Sequence, residues 1–149
     1  MLERARAKGL RHTIVADALH LPFPDASFDA VAVAFGLRNM ESWSGALREM
    51  SRVITPGGHL LILDFSLPRA AILRAPYQFY LHHILPLIAG VVTREQSAYQ
   101  YLGDSIEQFP SGAAMLHLIT DSGLVSPTCE PLTAGIVSLY TAAKPAAQS

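Results

Sequence analysis

The chain has 149 residues, half of them apolar and 15% charged, with a net charge of −1 and ten each of Gly and Pro. That length suits one ordinary domain, and the composition is too apolar for a disordered chain and too balanced for a polybasic nucleic-acid binder. The single Cys129 can form neither an internal disulfide nor a thiolate metal site, so a disulfide-stapled scaffold and a zinc module fall away and a reducing, cytoplasmic setting is expected.

The opening residues are charged, with no apolar stretch of signal-peptide type behind them. Gly9 stops a short helix-compatible run, and residues 12–16, with β-branched Thr13, Ile14 and Val15, predict a short strand ending at Asp17. Pro22, Pro24 and Asp25 force a loop. Residues 30–35 (AVAVAF) form a continuous apolar run that suits a strand buried on both faces, ended by Gly36. Ser42 is placed to cap a helix in which Trp43, Leu47, Met50 and Ile54 recur at near-helical spacing, with Pro56-Gly57-Gly58 as its stop. A second apolar strand over 59–65 follows at once. Strand, helix and strand in this order predict a right-handed βαβ unit with the two strands parallel, hence an α/β fold.

Residues 75–93 contain no Lys, Arg, Asp or Glu and approach the length of a membrane span. Pro76 and Pro86 would disturb a spanning helix, and Gln78, His82, His83 and two tyrosines would need polar partners in hydrocarbon. A buried or interfacial helix pair is the better reading, with peripheral contact to a membrane. Further helices are expected at about 95–109 and 112–122. Strands over 125–132 and 135–142, joined by a turn at Thr133-Ala134-Gly135, close the domain as an antiparallel hairpin. Residues 67–110 thus form a helical lid or substrate insertion in a single domain, and the polar end from Lys144 onward is expected to fray.

Ligands of open α/β sheets bind beyond the carboxyl ends of the strands, which singles out Asp17-Ala18, residues 36–39 and Asp64-Phe65-Ser66. Here the residues carry a family likeness. Leu21-Pro22-Phe23-Pro24-Asp25 followed by Phe28-Asp29, then Phe35-Gly36-Leu37-Arg38-Asn39, the run from Arg52 to Ser66 (RVITPGGHLLILDFS) and Leu132-Thr133-Ala134-Gly135-Ile136-Val137 resemble the ubiquinone/menaquinone biosynthesis C-methyltransferases. The resemblance covers about residues 13–144. Pro-Gly-Gly before a strand is shared by many class I methyltransferases, whereas FGLRN with the long run is more specific. Two departures are mild and expected to lie away from the reacting centre: Thr55 where the family pattern has a basic residue, and Asp64 where it usually has Glu.

The resemblance implies a partial Rossmann-like fold with S-adenosylmethionine as cofactor. The glycine-rich turn after the first strand is not in this sequence, so the chain is expected to begin at the family's third strand, with the first two missing. Uncovered strand edges invite pairing, and a homodimer or edge-paired oligomer is expected.

In the family arrangement Asp17 and Ala18 would meet the adenine end of the cofactor, with Ala34 and Phe35 beneath its methionine part. Asp17 could equally cap its own turn, and Ala34 and Phe35 could be plain core. Methyl transfer to a ring carbon calls for a group that stabilises an ionised quinol oxygen. Arg38 suits that role by position, with Asn39 on a second oxygen, unless Arg38 pairs structurally with a carboxylate such as Asp64. His83 matches a histidine-x-leucine-proline stretch of the family and is a candidate base, or a structural histidine. Tyr77, Tyr80, Tyr99 and Tyr101 would line the ring pocket and a channel for an isoprenoid tail, or belong to the core. Metal is not implied. The expected activity is C-methylation of a polyprenylated quinol of demethylmenaquinol or demethoxy-ubiquinol type. The alternative is a non-catalytic remnant that dimerises or binds lipid quinones.

Overall fold

A computed structural model describes residues 9, 12–68, 75–77, 79, 105, 106 and 108–147. Strand β1 (Phe28–Ala34) leads through a 3-10 turn (Leu37–Asn39) to helix α1 (Trp43–Val53), which passes directly into strand β2 (Ile54–Phe65). Helix α2 (Ala113–Asp121), strand β3 (Val125–Leu132), a second 3-10 turn (Thr133–Gly135) and strand β4 (Val137–Ala143) complete the described elements. The four strands form one sheet in the order β1-β2-β4-β3. β1 and β2 are parallel, as the βαβ reading requires, and β4 runs antiparallel to both β2 and β3.

α1 forms where expected because Ser42 Oγ accepts from the Gly45 amide at 3.1 Å, satisfying one orphan N–H of the first turn. Its apolar stripe buries Ala46, Leu47, Met50 and Val53, each large side chain contributing about 2 kcal/mol by transfer from water. Ala46, Leu47 and Met50 join Leu60 and Ile62 of β2, Tyr140 and Ala142 of β4, and Met115 and Ile119 of α2 in a single core. Both helices therefore cover one face of the sheet.

The other face is largely bare. Register places Ala32, Leu61, Thr141 and Thr128 in one row across the four strands, and Ala34, Leu63, Leu139 and Glu130 in the next. Ala30, Ala32 and Ala34 are exposed, so the expectation that 30–35 is buried on both faces is corrected: helix cover is present on one side only among the described residues.

Three further expectations change. Residues 12–16 form no strand, and Ile14 and Val15 are 53% and 83% exposed. β-Branched composition suits a strand only where a neighbouring strand supplies ladder partners, and among the described residues none does. Pro56-Gly57-Gly58 does not separate helix from strand but lies inside β2. Pairing moves from Phe28 to Ala30 on β1 while it moves from Ile54 to His59 on β2, so the extra residues form a bulge in β2. The polar end is anchored at Lys144, whose ammonium donates to the carbonyls of Ser51 and Ile54 at 2.8 Å each and caps the last turn of α1.

Candidate active site

The carboxyl ends of β1 and β2 lie side by side and carry the candidate residues. Phe35 closes β1 in the left-handed region (φ 53°), where its amide still donates to Leu63 O at 2.8 Å. This bend starts the turn that brings Arg38 back over the strand end. The Arg38 Nη1 donates to Phe35 O at 2.9 Å and to Asp64 Oδ1 at 2.8 Å, and its guanidinium carbon sits 5.1 Å from the Phe65 ring centroid. Asp64 is fully buried and Arg38 is 11% exposed at the side chain. Asp64 also accepts from the Phe65 amide at 2.9 Å and, more weakly, from the Arg38 amide at 3.4 Å. Asp64 therefore contacts the proposed reacting centre directly, which corrects the expectation that this departure from the family pattern lies away from it.

Among the described residues two buried side-chain nitrogens have no hydrogen-bond partner, Arg38 Nε and Trp43 Nε1. Both belong to the segment that follows β1. A buried donor without an acceptor costs about 1–3 kcal/mol, so such donors mark places where a ligand or another segment supplies the missing oxygen. Asn39 is exposed, and its amide N–H donates to Gly36 O at 3.1 Å, leaving its carboxamide facing outward.

Asp17 sits in a tight turn. Its Oδ1 accepts from the Leu19 amide at 2.9 Å and its Oδ2 lies 3.5 Å from His20 Nδ1. The Leu19 hydrogen bond first, and the His20 contact second, hold the Asp17 carboxyl below its ordinary range. The turn-capping reading is thus realised, while a carboxylate that is 63% exposed keeps lone pairs for an amine donor. Ala18 and Leu19 pack on the core, and a Cβ at Gly45 would come within 3.1 Å of Leu19, so this turn lies over the start of α1. Ala34 is exposed, and the Phe35 ring, 40% exposed, rests against Phe65 at 5.0 Å between centroids. Tyr77 is half-buried in a helical segment. His83, Tyr80, Tyr99 and Tyr101 lie outside the described residues.

A cleft of about 500 Å³ opens beyond the same end of β2, lined by Ser66, Leu67, Pro68, Gly112, Leu116 and Ser138, among others. Sequence reading singled out Ser66 at this strand end but not the cleft itself. Its floor is a hydroxyl pair, with Ser66 Oγ donating to Gly135 O at 2.8 Å and lying 2.9 Å from Ser138 Oγ. The Gly112 amide donates to the Tyr140 hydroxyl at 2.9 Å. Burial pushes the Tyr140 phenol above its ordinary value despite that hydrogen bond, so behind the cleft-lining Gly112 it stays neutral. The small residues after β2 and before α2 were the available signal, and only their three-dimensional convergence reveals the space.

A sequence model described as the ubiE/COQ5 methyltransferase family matches residues 2–144. The chain belongs to the ubiE/COQ5 methyltransferase family. It is 43% identical over 136 residues to a demethylmenaquinone methyltransferase of Mycobacterium bovis, covering 91% of this chain and 58% of that protein. It is 42% identical over 132 residues to the ubiquinone/menaquinone biosynthesis C-methyltransferase UbiE of Pseudomonas fluorescens, covering 89% and 52%. The chain thus spans between 52% and 58% of the length of these relatives. In fold it resembles a SAM-dependent methyltransferase of Thermotoga maritima, described as a possible histamine N-methyltransferase (TM-score 0.69, 18% identity, 97% of this chain and 69% of that one). A phosphoethanolamine N-methyltransferase of Haemonchus contortus, solved with S-adenosylhomocysteine, gives a TM-score of 0.62 at 12% identity over 97% of this chain and 40% of its own. The ubiE/COQ5 fold is therefore present here as a partial Rossmann-like sheet.

Within that family fold, the residues at the sheet's carboxyl edge suit one part of S-adenosylmethionine. The exposed Asp17 carboxylate can accept from an exocyclic amine, and Ala34 with the Phe35 ring offers a flat apolar surface. No described residue supplies the glycine turn on which such a cofactor's other end would rest.

Proposed function

We propose that this chain carries the acceptor side of a SAM-dependent C-methyltransferase acting on a polyprenylated quinol of demethylmenaquinol or demethoxy-ubiquinol type. The observation that carries the reading is Arg38, anchored at the strand ends with a buried N–H free of partners among the described residues, in a chain of this family. S-adenosylmethionine supplies a methyl group on a sulfonium, and its transfer to a ring carbon expels the thioether and requires loss of one ring proton. Asp17 and Ala18 hold the adenine end, and Ala34 and Phe35 lie under the remainder.

The Arg38 guanidinium stabilises the ionised quinol oxygen that makes the adjacent carbon nucleophilic; being permanently protonated, it does not itself remove the proton. Asn39 holds the second ring oxygen. His83 accepts the ring proton, and Tyr77, Tyr80, Tyr99 and Tyr101, within a helical insertion spanning about residues 67–110, line the ring and tail channel. The apolar part of that insertion rests against a membrane surface from the cytoplasmic side. Among the described residues no helix is long and apolar enough to cross a membrane. The open edge of β1 pairs with that of a second copy.

Calorimetric titration with S-adenosylmethionine, followed by transfer of a labelled methyl group to a short-tailed demethylmenaquinol, tests the reading. Micromolar binding and a methylated ring are expected, with Arg38→Ala lowering kcat about a hundredfold or more, as loss of an oxyanion donor does elsewhere. Absence of both binding and transfer would leave a non-catalytic quinone-binding module as the better description.

A further inference from the structure

We propose that Asp64 is a positioning residue, holding the Arg38 guanidinium so that its Nε edge is presented to an aryl oxygen of the acceptor. The inference rests on the methyltransferase reading for its substrate class, and its geometry stands independently. An arginine side chain has many rotamers, yet three contacts fix this one. Nη1 is divided between Asp64 Oδ1 and Phe35 O, and the guanidinium lies beside the Phe65 ring. Asp64 is itself immobilised by the Phe65 amide and sits with no exposure near the end of a central strand. The direction of the Arg38 Nε–H bond therefore follows from where β2 ends.

The form of the ion pair argues against a purely structural one. Arginine and carboxylate reach their best geometry as a fork, two parallel N–H···O bonds using both oxygens. Here a single nitrogen serves the carboxylate, the second oxygen accepts from the Arg38 backbone at 3.4 Å, and Nε is buried with no acceptor among the described residues. A pair selected only to tie the turn after β1 to β2 would gain by turning Nε toward Oδ2. Holding Nε apart is useful if a ligand oxygen completes it. Because Asp64 offsets the guanidinium charge, its contribution is direction and not added field.

The test uses the chain itself with 1-naphthol as a probe carrying one aryl hydroxyl and no tail. The Arg38 Nε–H resonance is followed by nitrogen–proton NMR and assigned by its loss in Arg38→Lys. Naphthol is expected to shift that resonance in the native chain and in Asp64→Glu. Binding should weaken about tenfold or more in Asp64→Asn, which retains shape but frees the guanidinium, with backbone amide spectra unchanged. Arg38→Lys, which keeps a cation beside Asp64 but removes the second donor, should lose a similar factor and remains informative if Asp64→Asn does not fold. Native-like naphthol affinity in either variant, or no shift at Nε–H in the native chain, overturns the proposal. Methyl transfer plays no part in this readout, so its absence with the naphthol result intact counts against the methyltransferase reading alone.

Discussion

Glu49 and Arg52 stand three residues apart on α1 and together hold the loop that precedes β1. Arg52 donates from Nε and Nη2 to the two Glu49 oxygens, from Nη1 to Phe23 O and Asp25, and from Nη2 to Leu21 O. Glu49 in turn accepts from the Leu21 amide at 2.9 Å. The Arg52 hydrogen bonds are the main reason the Glu49 carboxyl lies below its ordinary value of 4.5. A carboxyl depressed in the folded state contributes stability that is complete above its unfolded value and is lost as pH falls through its folded one. Glu49→Gln should therefore be less stable than the native chain at neutral pH, with the gap narrowing below about pH 4. Urea unfolding at a series of pH values measures this, and a gap that widens in acid would refute it. Residue identities admitted Asp64 as a partner of Arg38, and the structure shows that pair. They could not tell that Asp64 would engage Nη1 and leave Nε bare, since that depends on Phe35 bending into positive φ.

At the scale of elements, the Pro-Gly-Gly segment has an architectural task beyond punctuation. Gly57 occupies φ 82°, a region costly for a residue with a Cβ, and a Cβ on Gly58 would lie 2.6 Å from Asp29 O and 2.8 Å from Ile54 Cγ2. The Asp29 carbonyl is backbone of the paired strand, so it can retreat only by distorting the β1–β2 ladder. Gly58→Ala should destabilise the chain by about 2 kcal/mol, within the usual cost of overpacking. Gly57→Ala, which meets no atom within 4 Å, should lose only what positive φ demands, about 1 kcal/mol. Thermal or urea unfolding ranks the two, and an equal loss would mean that the close approach is relieved without strain. Helix α1, α2 and the β3–β4 hairpin follow from periodicity and turn chemistry because the cap, the apolar stripe and the turn residues that define them are close together in the chain. Residues 12–16 do not, since a strand is a property of two neighbours and sequence pattern describes only one. Pro-Gly-Gly was misplaced for a related reason: the same residues serve a stop or a bulge, and the paired strand decides which.

For the whole molecule the order β1-β2-β4-β3 leaves β1 at one rim, and among the described residues nothing pairs with its outer edge. The face beside it carries Ala30, Ala32, Ala34 and the 36%-exposed Leu61. Beyond the exposed Asp29, β1 presents an apolar edge of the kind that folded proteins ordinarily block, and that is the physical ground for the proposed edge-paired homodimer. The chain spans between 52% and 58% of the length of the relatives it matches in this family. Amides of a parallel strand alternate between its two sides. Phe35 N–H points to Leu63 on β2, so Val33 and Val31 also point inward while Ala32 N–H points to the open rim. Ala32→Pro thus removes one outward donor, adds a ring where a partner strand would approach, and leaves the β1–β2 ladder intact. By light scattering well above micromolar concentration, the native chain should have the mass of a dimer and Ala32→Pro that of a monomer with a similar melting temperature. A monomeric native chain would defeat the pairing, and a dimeric Ala32→Pro would move it from this edge to another surface.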